Sequence, residues 1–327
     1  MSKLRYIAGR LVRSVILLFL VLTFLFFFFR LLPGDYTDLL IYSGATEEEV
    51  AVLEAKWGLD QPIYIQYVDY ITNFLTLDAG TSFRFRVPVV DYAAPRIFNS
   101  FVLIAPGITF AYILGIIFGT GLGRARGSKA EKYGIIPILM TGTFPSFFTS
   151  ILLVVIFAGI LGWFPTSGML TAGSAAAGLD RYLSTDFLWH YILPFTAVVL
   201  RYLFLPTLMM RTNVIEVSGQ DFTYYHRLTG LSRLKRARHI AKHSILPIVT
   251  MYPLSLTRAI GGLVLIETVF NWPGIGNALV QGVLARDFPL VQFIFFLIAV
   301  FIVFSNLIVD LVYGVIDPRV SLEGDEG

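Results

Sequence analysis

The stretch SVILLFLVLTFLFFFF, residues 14–29, carries no charged side chain and only two hydroxyl groups. The rest of the chain has a similar character. Of its 327 residues, 56% are hydrophobic and 14% are charged, and the mean hydropathy is +0.73. Soluble domains are typically about 45–50% apolar and about 25% charged. The composition therefore predicts an all-α integral membrane protein.

Six apolar segments are long enough to cross a membrane as helices, which takes about 20 mostly apolar residues. They are 10–32, 101–122, 133–161, 190–210, 244–269 and 289–313. The first also resembles the core of a secretory signal peptide behind a basic start. Because RLLPGD follows at 30–35 and offers no small-x-small cleavage pattern, we expect this segment to be retained as the first of six transmembrane helices.

Basic residues cluster on one side of the six predicted spans. They precede the first span, follow the second and fill the loop after the fourth: Lys3, Arg5, Arg10, Arg13, Arg124, Arg126, Lys129, Lys132 and the stretch 226–249. Since Lys and Arg are enriched in cytoplasmic loops, both termini are expected in the cytoplasm. Residues 33–97 then form a small extracytoplasmic insertion, in which Thr46-x-x-Glu49 and Pro62 indicate two helix starts and Gly58 a stop.

The loop at 211–243 is predicted to contain two helices. Ser218 is expected to cap the first, which ends at Gly230 after about three turns. Ser232 is expected to cap the second, which is strongly basic. A basic helix-turn-helix suggests DNA binding, but a loop tethered to the membrane at both ends cannot easily reach a duplex. We therefore expect no nucleic-acid partner.

Two other interpretations of this loop remain. Its basic charge is typical of a loop that fixes topology and contacts lipid phosphates. That interpretation does not explain the ridge of Phe222, Tyr225 and Leu228 or Thr229 along the first helix. An amphipathic helix with such a ridge can dock into the groove of a partner protein.

The loop also resembles a known motif. It has the pattern R-x4-E-V-x3-D-[FY]-x7-G-L-S from Arg211 to Ser232. This is similar to the coupling loop of ABC importer permease subunits of the dipeptide, oligopeptide and nickel branch. Further stretches match in order along nearly the whole chain: GLDQP (58–62), DAGTSF (78–83), LGWFPTSG (161–168), ETVFNWPGIG (267–276), RDFPLVQ (286–292) and NLIVDLVYGVIDPR (306–319).

The resemblance implies a type I ABC importer permease fold with six transmembrane helices. It divides the chain into 1–32 (cytoplasmic start and first span), 33–97 (extracytoplasmic insertion), 98–314 (the other spans, with the coupling loop at 211–243) and 315–327 (cytoplasmic tail). It also implies the residues that couple to the ATPase: Glu216, Asp221, Phe222, Tyr225, His226, Arg227, Leu228, Gly230 and Leu231. Tyr225, His226 and Leu228 are bulkier than the small residues usual in the family, which predicts a matching groove in the partner.

The resemblance implies four kinds of partner: a second homologous permease, two ATP-binding subunits, an extracytoplasmic substrate-binding protein and the lipid bilayer. The chain itself is not expected to be an enzyme or to hold a cofactor or metal, and ATP and Mg would be bound by the partner subunits. GTGLGRARGSK (119–129) lacks the G-x4-G-K-[ST] spacing of a phosphate-binding loop, and we interpret its glycines as close-packing positions.

The expected substrates are di- or oligopeptides carried by alternating access, with oligosaccharides or nickel as alternatives. A secondary transporter is a weaker alternative, because the sequence shows neither repeats nor paired acids near mid-span. Two arginines, Arg201 and Arg258, fall in the middle of predicted spans. An Arg at mid-bilayer costs about 2.5–3.5 kcal/mol, so each must either line the translocation path or bond to helix carbonyls. Asp310 and Glu267 lie nearer span ends, where Asp310 is interpreted as structural.

Overall fold

The computed structural model describes residues 3–31, 46, 60–174 and 178–316. This part of the chain is built from helices: α1 (Lys3–Leu31), α2 (Ile63–Leu75), α3 (Val89–Arg124), α4 (Lys129–Thr143), α5 (Ser146–Leu153), α6 (Thr185–Ser218), α7 (Asp221–Leu228), α8 (Arg233–Ser244), α9 (Leu246–Val269), α10 (Ile275–Leu284) and α11 (Phe288–Ile316). A π-helix (Val154–Ile160) continues α5. Within the described ranges the only β pairing is an isolated bridge between Thr81 and Pro88. The all-α prediction is confirmed.

Each of the six predicted apolar segments is helical over most of its described residues. Helices α1, α3, α6 and α11 are each long and apolar enough to span a membrane. Two more spans result if each bent pair counts as one crossing: α4 with α5 and its π-helical extension, and the two halves of α9. The structure thus gives four to six spans, and the count of six stays a prediction.

The third predicted span is sharply broken. Its two halves meet at an angle of 107°. Phe144, the last residue before Pro145, is extended with ψ 135°, and Pro145 then starts α5. The residue before a proline disfavours the helical region, and proline lacks the N–H that would continue the helix. The Phe144–Pro145 step therefore explains the break.

The chain divides into two compact units, residues 1–95 with 278–327 and residues 96–277. In the first unit α1 packs against α2 and α11. Phe26 on α1 is fully buried, and its ring lies 5.1 Å from the ring of Tyr67 on α2. Arg30 places its guanidinium 3.6 Å above the Phe26 ring and donates a 2.7 Å hydrogen bond to Gln66. A cation over an aromatic face is stabilising, so these contacts fix α2 on α1.

Helix α2 begins directly after Pro62, as predicted. The other calls in this region lie outside the described residues: the Glu49 half of the capping box, the stop at Gly58 and most of the tail at 315–327. For Asp310 the structure describes the backbone only. Helix α3 starts at Val89, ahead of the predicted span, and crosses the predicted boundary at 97/98 without a break.

Two of the quoted motifs meet in the first unit. Asp287 of RDFPLVQ is fully buried and accepts hydrogen bonds from the Ser82 hydroxyl and the Arg84 N–H, both in or beside DAGTSF. It also accepts from the N–H of Leu290, in the first turn of α11, at 3.4 Å. A buried carboxylate needs such donors, so hydrogen bonds to Asp287 hold the two motifs together.

In the second unit, α3 packs closely on α6 along a stripe of glycines. A Cβ at Gly115 would meet Pro206, one at Gly119 would meet the Thr207 carbonyl, and one at Gly123 would meet Val214. Small residues let membrane helices approach closely. The prediction that the glycines of GTGLGRARGSK serve close packing is confirmed at Gly119 and Gly123 and is wrong at Gly121 and Gly127, where a Cβ would meet nothing within 4 Å.

Candidate functional site in the loop after α6

Helix α7 is attached to the end of α6 through one buried threonine. Thr223 is buried, and its hydroxyl donates to the carbonyls of Ser218 and Gln220, both at 2.8 Å. The N–H groups of Gly219 and Gln220 close the end of α6 on the carbonyls of Glu216 and Val217. The start of α7 is therefore tied to the end of a candidate membrane span.

Two details of the sequence-based prediction are wrong. Ser218 is the last residue of α6, and its hydroxyl bonds back to the Val214 carbonyl at 2.5 Å instead of capping α7. Helix α7 covers Asp221–Leu228, shorter than the three turns expected. The cause is that α6 continues as a helix beyond its apolar part, through Arg211 to Ser218, and so takes up the residues assigned to the next helix.

The turn after α7 follows the prediction. Gly230 has φ +71°, in the left-handed region that favours glycine. Ser232 caps α8 by accepting from the Lys235 N–H at 3.5 Å. Helix α8 then packs on α6, burying Ala237 and Ser244. The Asn213 side chain on α6 donates to the Ser244 carbonyl at 3.2 Å.

Apolar side chains project from this loop. Tyr225 and Leu228 on α7 are 62% and 64% exposed, and Leu234 on α8 is 80% exposed. Asp221 and Glu216 are also exposed, while Leu231 is half-buried. For Phe222, His226 and Arg227 the structure describes only the backbone, which lies in α7. Helix α7 is thus anchored through Thr223 and presents an apolar side chain at Tyr225 and at Leu228, as a docking helix does.

A carboxylate that sequence reasoning missed holds the base of this loop. Glu131, in the first turn of α4, pairs with the guanidinium of Arg211 on α6 and accepts from the Gly127 N–H at 2.6 Å. Ser128 caps the same turn by accepting from the Glu131 N–H at 3.2 Å. The S-x-x-E spacing at 128–131 is a capping-box signal that could have drawn attention to it. The pair joins α4 to α6 where the loop begins.

Both candidate path arginines are exposed in this chain. The Arg201 guanidinium lies 5.7 Å from the ring of Tyr202 on the same helix, α6. Near Arg258, hydroxyls link α9 to α3: Tyr112 and Ser255 are 2.5 Å apart, and Thr109 lies 2.7 Å from the Tyr252 hydroxyl. Ser255 and Tyr252 lie within two turns before Arg258 on α9, and Tyr112 and Ser255 are buried.

At the other end of α9 lies a second polar cluster, which we call the Trp272 loop (270–277). Glu267 is fully buried. Its carboxyl oxygens accept from the Ser100 hydroxyl at 2.5 Å and from the Asn277 N–H at 2.9 Å. Ser100 in turn accepts from the Ile275 N–H at 2.8 Å. Glu267 therefore joins α9 to α3 and to the start of α10.

The motif ETVFNWPGIG encodes this loop. Trp272 is fully buried and its ring N–H donates to the Asn99 carbonyl at 3.1 Å. The Asn99 side chain donates to the Pro273 carbonyl at 2.7 Å. A Cβ at Gly274 would collide with the Glu267 side chain, and one at Gly276 would meet the Val264 backbone at 2.8 Å and the Glu267 carboxylate at 3.0 Å. The glycines therefore make room for the carboxylate, which is why this motif contains both residue types.

Several apolar spans define a multi-pass membrane protein, and its loop after α6 has projecting apolar side chains. Residues 111–322 match the family described as the binding-protein-dependent transport system inner membrane component. Residues 3–101 match the N-terminal part of the membrane component of the same systems. The chain belongs to this family.

Relatives extend over almost the whole chain. The glutathione transport system permease protein GsiC of Salmonella typhimurium is 31% identical over 319 residues, covering 97% of this chain and 99% of the relative. A putative peptide permease protein of Brucella ovis is 30% identical over 324 residues, covering 98% and 99%. The chain is therefore a permease subunit of an ABC importer in the inner membrane, and its predicted family is confirmed. In such importers ATP is hydrolysed by partner subunits.

Proposed function

We propose that this permease imports di- or oligopeptides. It would act with a second, homologous permease, two ATP-binding subunits and an extracytoplasmic substrate-binding protein. Support for the substrate comes from full-length relatives named for glutathione and for peptides. Support for a substrate-binding partner comes from the family, which is described as the inner membrane component of binding-protein-dependent transport systems.

The observation that carries the proposed coupling to ATP-binding subunits is the exposed face of α7. Tyr225 and Leu228 offer apolar surface on a helix whose start is fixed by Thr223. An amphipathic helix that presents apolar side chains can dock into the groove of a partner protein. The residues that we propose to engage or orient the ATP-binding subunit are those expected from the family motif: Glu216, Asp221, Phe222, Tyr225, His226, Arg227, Leu228, Gly230 and Leu231.

Movement of the ATP-binding subunits would reach the spans through contacts already described. Closure of the ATP-bound dimer would displace α7, and the Thr223–Ser218 hydrogen bond would pass that displacement to α6. Helix α8 is held on the same span by the Asn213–Ser244 bond, and the Glu131–Arg211 pair extends the connection to α4. The spans would then rock between inward-open and outward-open states.

Arg258 is proposed to line the path. It is exposed on α9, and Ser255 lies one turn before it, where its hydroxyl meets Tyr112. A guanidinium binds carboxylate and carbonyl oxygen through several N–H groups at once, and every peptide carries both groups. Arg201 on α6 is the second candidate for this role.

The direct test is transport by the complete importer in proteoliposomes, with ATP inside or outside. We expect a short peptide bound to the binding protein to stimulate ATP hydrolysis and to be taken up. Stimulation by an oligosaccharide or by nickel, with none by peptides, would disprove the peptide substrate and leave the ABC importer role intact. Arg258→Ala should lower peptide uptake, and Arg258→Lys should restore part of it by keeping the charge. Unchanged uptake in Arg258→Ala would remove this residue from the path.

The orientation is tested separately. The chain has no cysteine, so single cysteines can be introduced without background. Leu234→Cys should react with a membrane-impermeant maleimide only from the cytoplasmic side, and Trp163→Cys only from the opposite side. The reverse pattern would contradict the proposal that both termini are cytoplasmic.

A further inference from the structure

A pocket of about 530 Å³ lies beside the start of α7, and four arginines line it. Arg124 is the last residue of α3, Arg126 lies two residues further along the chain, and Arg233 and Arg236 come from the first turn of α8. The remaining lining is small, hydroxylic or aliphatic: Gly123, Ile215, Ser218, Gly219, Thr223, Ala237 and Ile240. All of these residues lie in the described part of the chain, and none of them is an acid.

Contacts within the chain leave these guanidinium groups open to a ligand. In the described residues Arg124, Arg233 and Arg236 form no ion pair, and the charge near Arg126 is that of Glu131. The Glu131 carboxylate is itself engaged by Arg211 and by the Gly127 N–H. Like charges gathered in one place repel one another, so the pocket is more stable with an anion inside.

The hydroxyl groups of the pocket do not compete as donors. Ser218 gives its proton to the Val214 carbonyl and Thr223 gives its proton to the Ser218 carbonyl. The arginine N–H groups therefore remain as the donors that face the pocket, and they match phosphate oxygens in geometry and charge. The aliphatic wall of Ile215 and Ile240 suits a ligand with an apolar part beside its phosphate.

We infer that this pocket binds a phosphate group, which the position of the pocket assigns to the headgroup of an anionic phospholipid. The pocket lies where two candidate spans end, since Arg124 closes α3 and Ser218 closes α6. Basic pockets at the cytoplasmic ends of membrane helices suit lipid headgroups. Thr223 of α7 forms part of the wall, so a bound headgroup joins α3, α8 and the docking helix. The binding site does not depend on the role proposed for α7.

The test is lipid retention by the complete transporter purified from membranes that contain phosphatidylglycerol, measured by native mass spectrometry. The pocket variant is Arg233→Gln with Arg236→Gln. The matched control is Lys235→Gln with Arg238→Gln, which removes the same charge from the same helix at exposed positions outside the pocket lining. We expect the pocket variant to bind the lipid at least about tenfold more weakly, since charge-assisted hydrogen bonds are lost, and the control to bind like the parent.

A second measurement distinguishes the source of the phosphate. Inorganic phosphate is titrated into the transporter in nanodiscs of phosphatidylcholine alone, and binding is followed by ³¹P NMR. One outcome is that inorganic phosphate binds the parent and the control but not the pocket variant, and that no lipid is retained by the parent. This outcome would support the phosphate site and assign it to a soluble ion. Equal loss of lipid in the pocket variant and the control, or no loss in either, would overturn the inference. Loss of the ATP-binding subunit from the pocket variant, with lipid retention unchanged, would overturn it too and assign the arginines to that partner.

Discussion

The two ends of α9 lead into loops that use polar residues in opposite ways. In the Trp272 loop, the Glu267 carboxylate accepts hydrogen bonds from Ser100 and Asn277 inside the chain, and Trp272 is fully buried beside them. In the loop that holds α7 and α8, Tyr225 and Leu228 project outward, and four arginines line a pocket without an acid in its described lining.

We propose that this difference separates residues that fold the permease from residues that contact a partner. Buried polar groups that are fully hydrogen-bonded specify one arrangement of the helices. Exposed apolar groups and concentrated like charges are unfavourable in an isolated chain, so they indicate surfaces that something else covers. Substitutions in the Trp272 loop should therefore destabilise the protein. Substitutions in the loop that holds α7 and α8 should impair the coupling of ATP hydrolysis to transport while the protein remains folded.

The largest effect is expected at Glu267. Glu267→Ala leaves the Ser100 hydroxyl and the Asn277 N–H without their acceptor and opens a cavity, at a cost of about 3 kcal/mol or more. The half-life of the purified complex at fixed temperature should fall steeply. Glu267→Gln keeps one acceptor oxygen, so the half-life of this variant should fall less. Glu216→Ala changes an exposed position and should leave the half-life unchanged. A Glu267→Ala complex as stable as the parent would refute the role of this carboxylate.

Gly230→Pro should abolish transport but not membrane insertion. Proline fixes φ near −65°, while Gly230 has φ +71°, so the turn between α7 and α8 cannot form. Peptide uptake in proteoliposomes measures the effect. Gly230→Asn is the control, because asparagine tolerates the left-handed region, and it should transport close to the parent rate. Normal uptake by Gly230→Pro would show that the turn is not needed.

Tyr225→Asp should prevent α7 from docking on the ATP-binding subunit. Uptake and substrate-stimulated ATP hydrolysis should both fall at least about tenfold. The reason is that a charge placed in an apolar groove costs several times RT to desolvate. Tyr225→Phe keeps the ring and should retain most of the activity. If the two variants behaved alike, the ring would not be the docking group.

Thr223→Val should have the smallest effect of this series. It removes hydrogen bonds worth about 1 kcal/mol each but keeps the shape of the side chain. We expect uptake to fall several-fold with normal amounts of assembled complex. Thr229→Val, which removes a bond to the Tyr225 carbonyl at an exposed position, is the matched control and should change uptake less. The opposite order would indicate that α7 is not transmitting force through Thr223.

The sequence predicts the parts of the fold that depend on local pattern. Apolar length locates the membrane segments, Ser232 predicts the start of α8 and Gly230 predicts the turn. Hydropathy does not predict the end of α6, because the helix continues through polar residues whose support comes from Glu131 and from α8.

The Trp272 loop could not be derived in the same way. Glu267 was visible as a charge near the end of a span, but Ser100, its partner, lies 167 residues earlier. Nothing local in a single sequence joins the two. The family motif marks the positions, and only the packing of α3 on α9 explains why glycines and a carboxylate occur together there.

The central claim is that α7 docks on the ATP-binding subunit, and site-directed crosslinking tests it most directly. In this cysteine-free chain, Tyr225→Cys carries a benzophenone maleimide and the complete importer is irradiated with and without ATP. The account predicts an adduct with the ATP-binding subunit whose yield changes with nucleotide, and none from Trp163→Cys, placed at the far end of the spans. No adduct from Tyr225→Cys, or equal adducts from both positions, would contradict it.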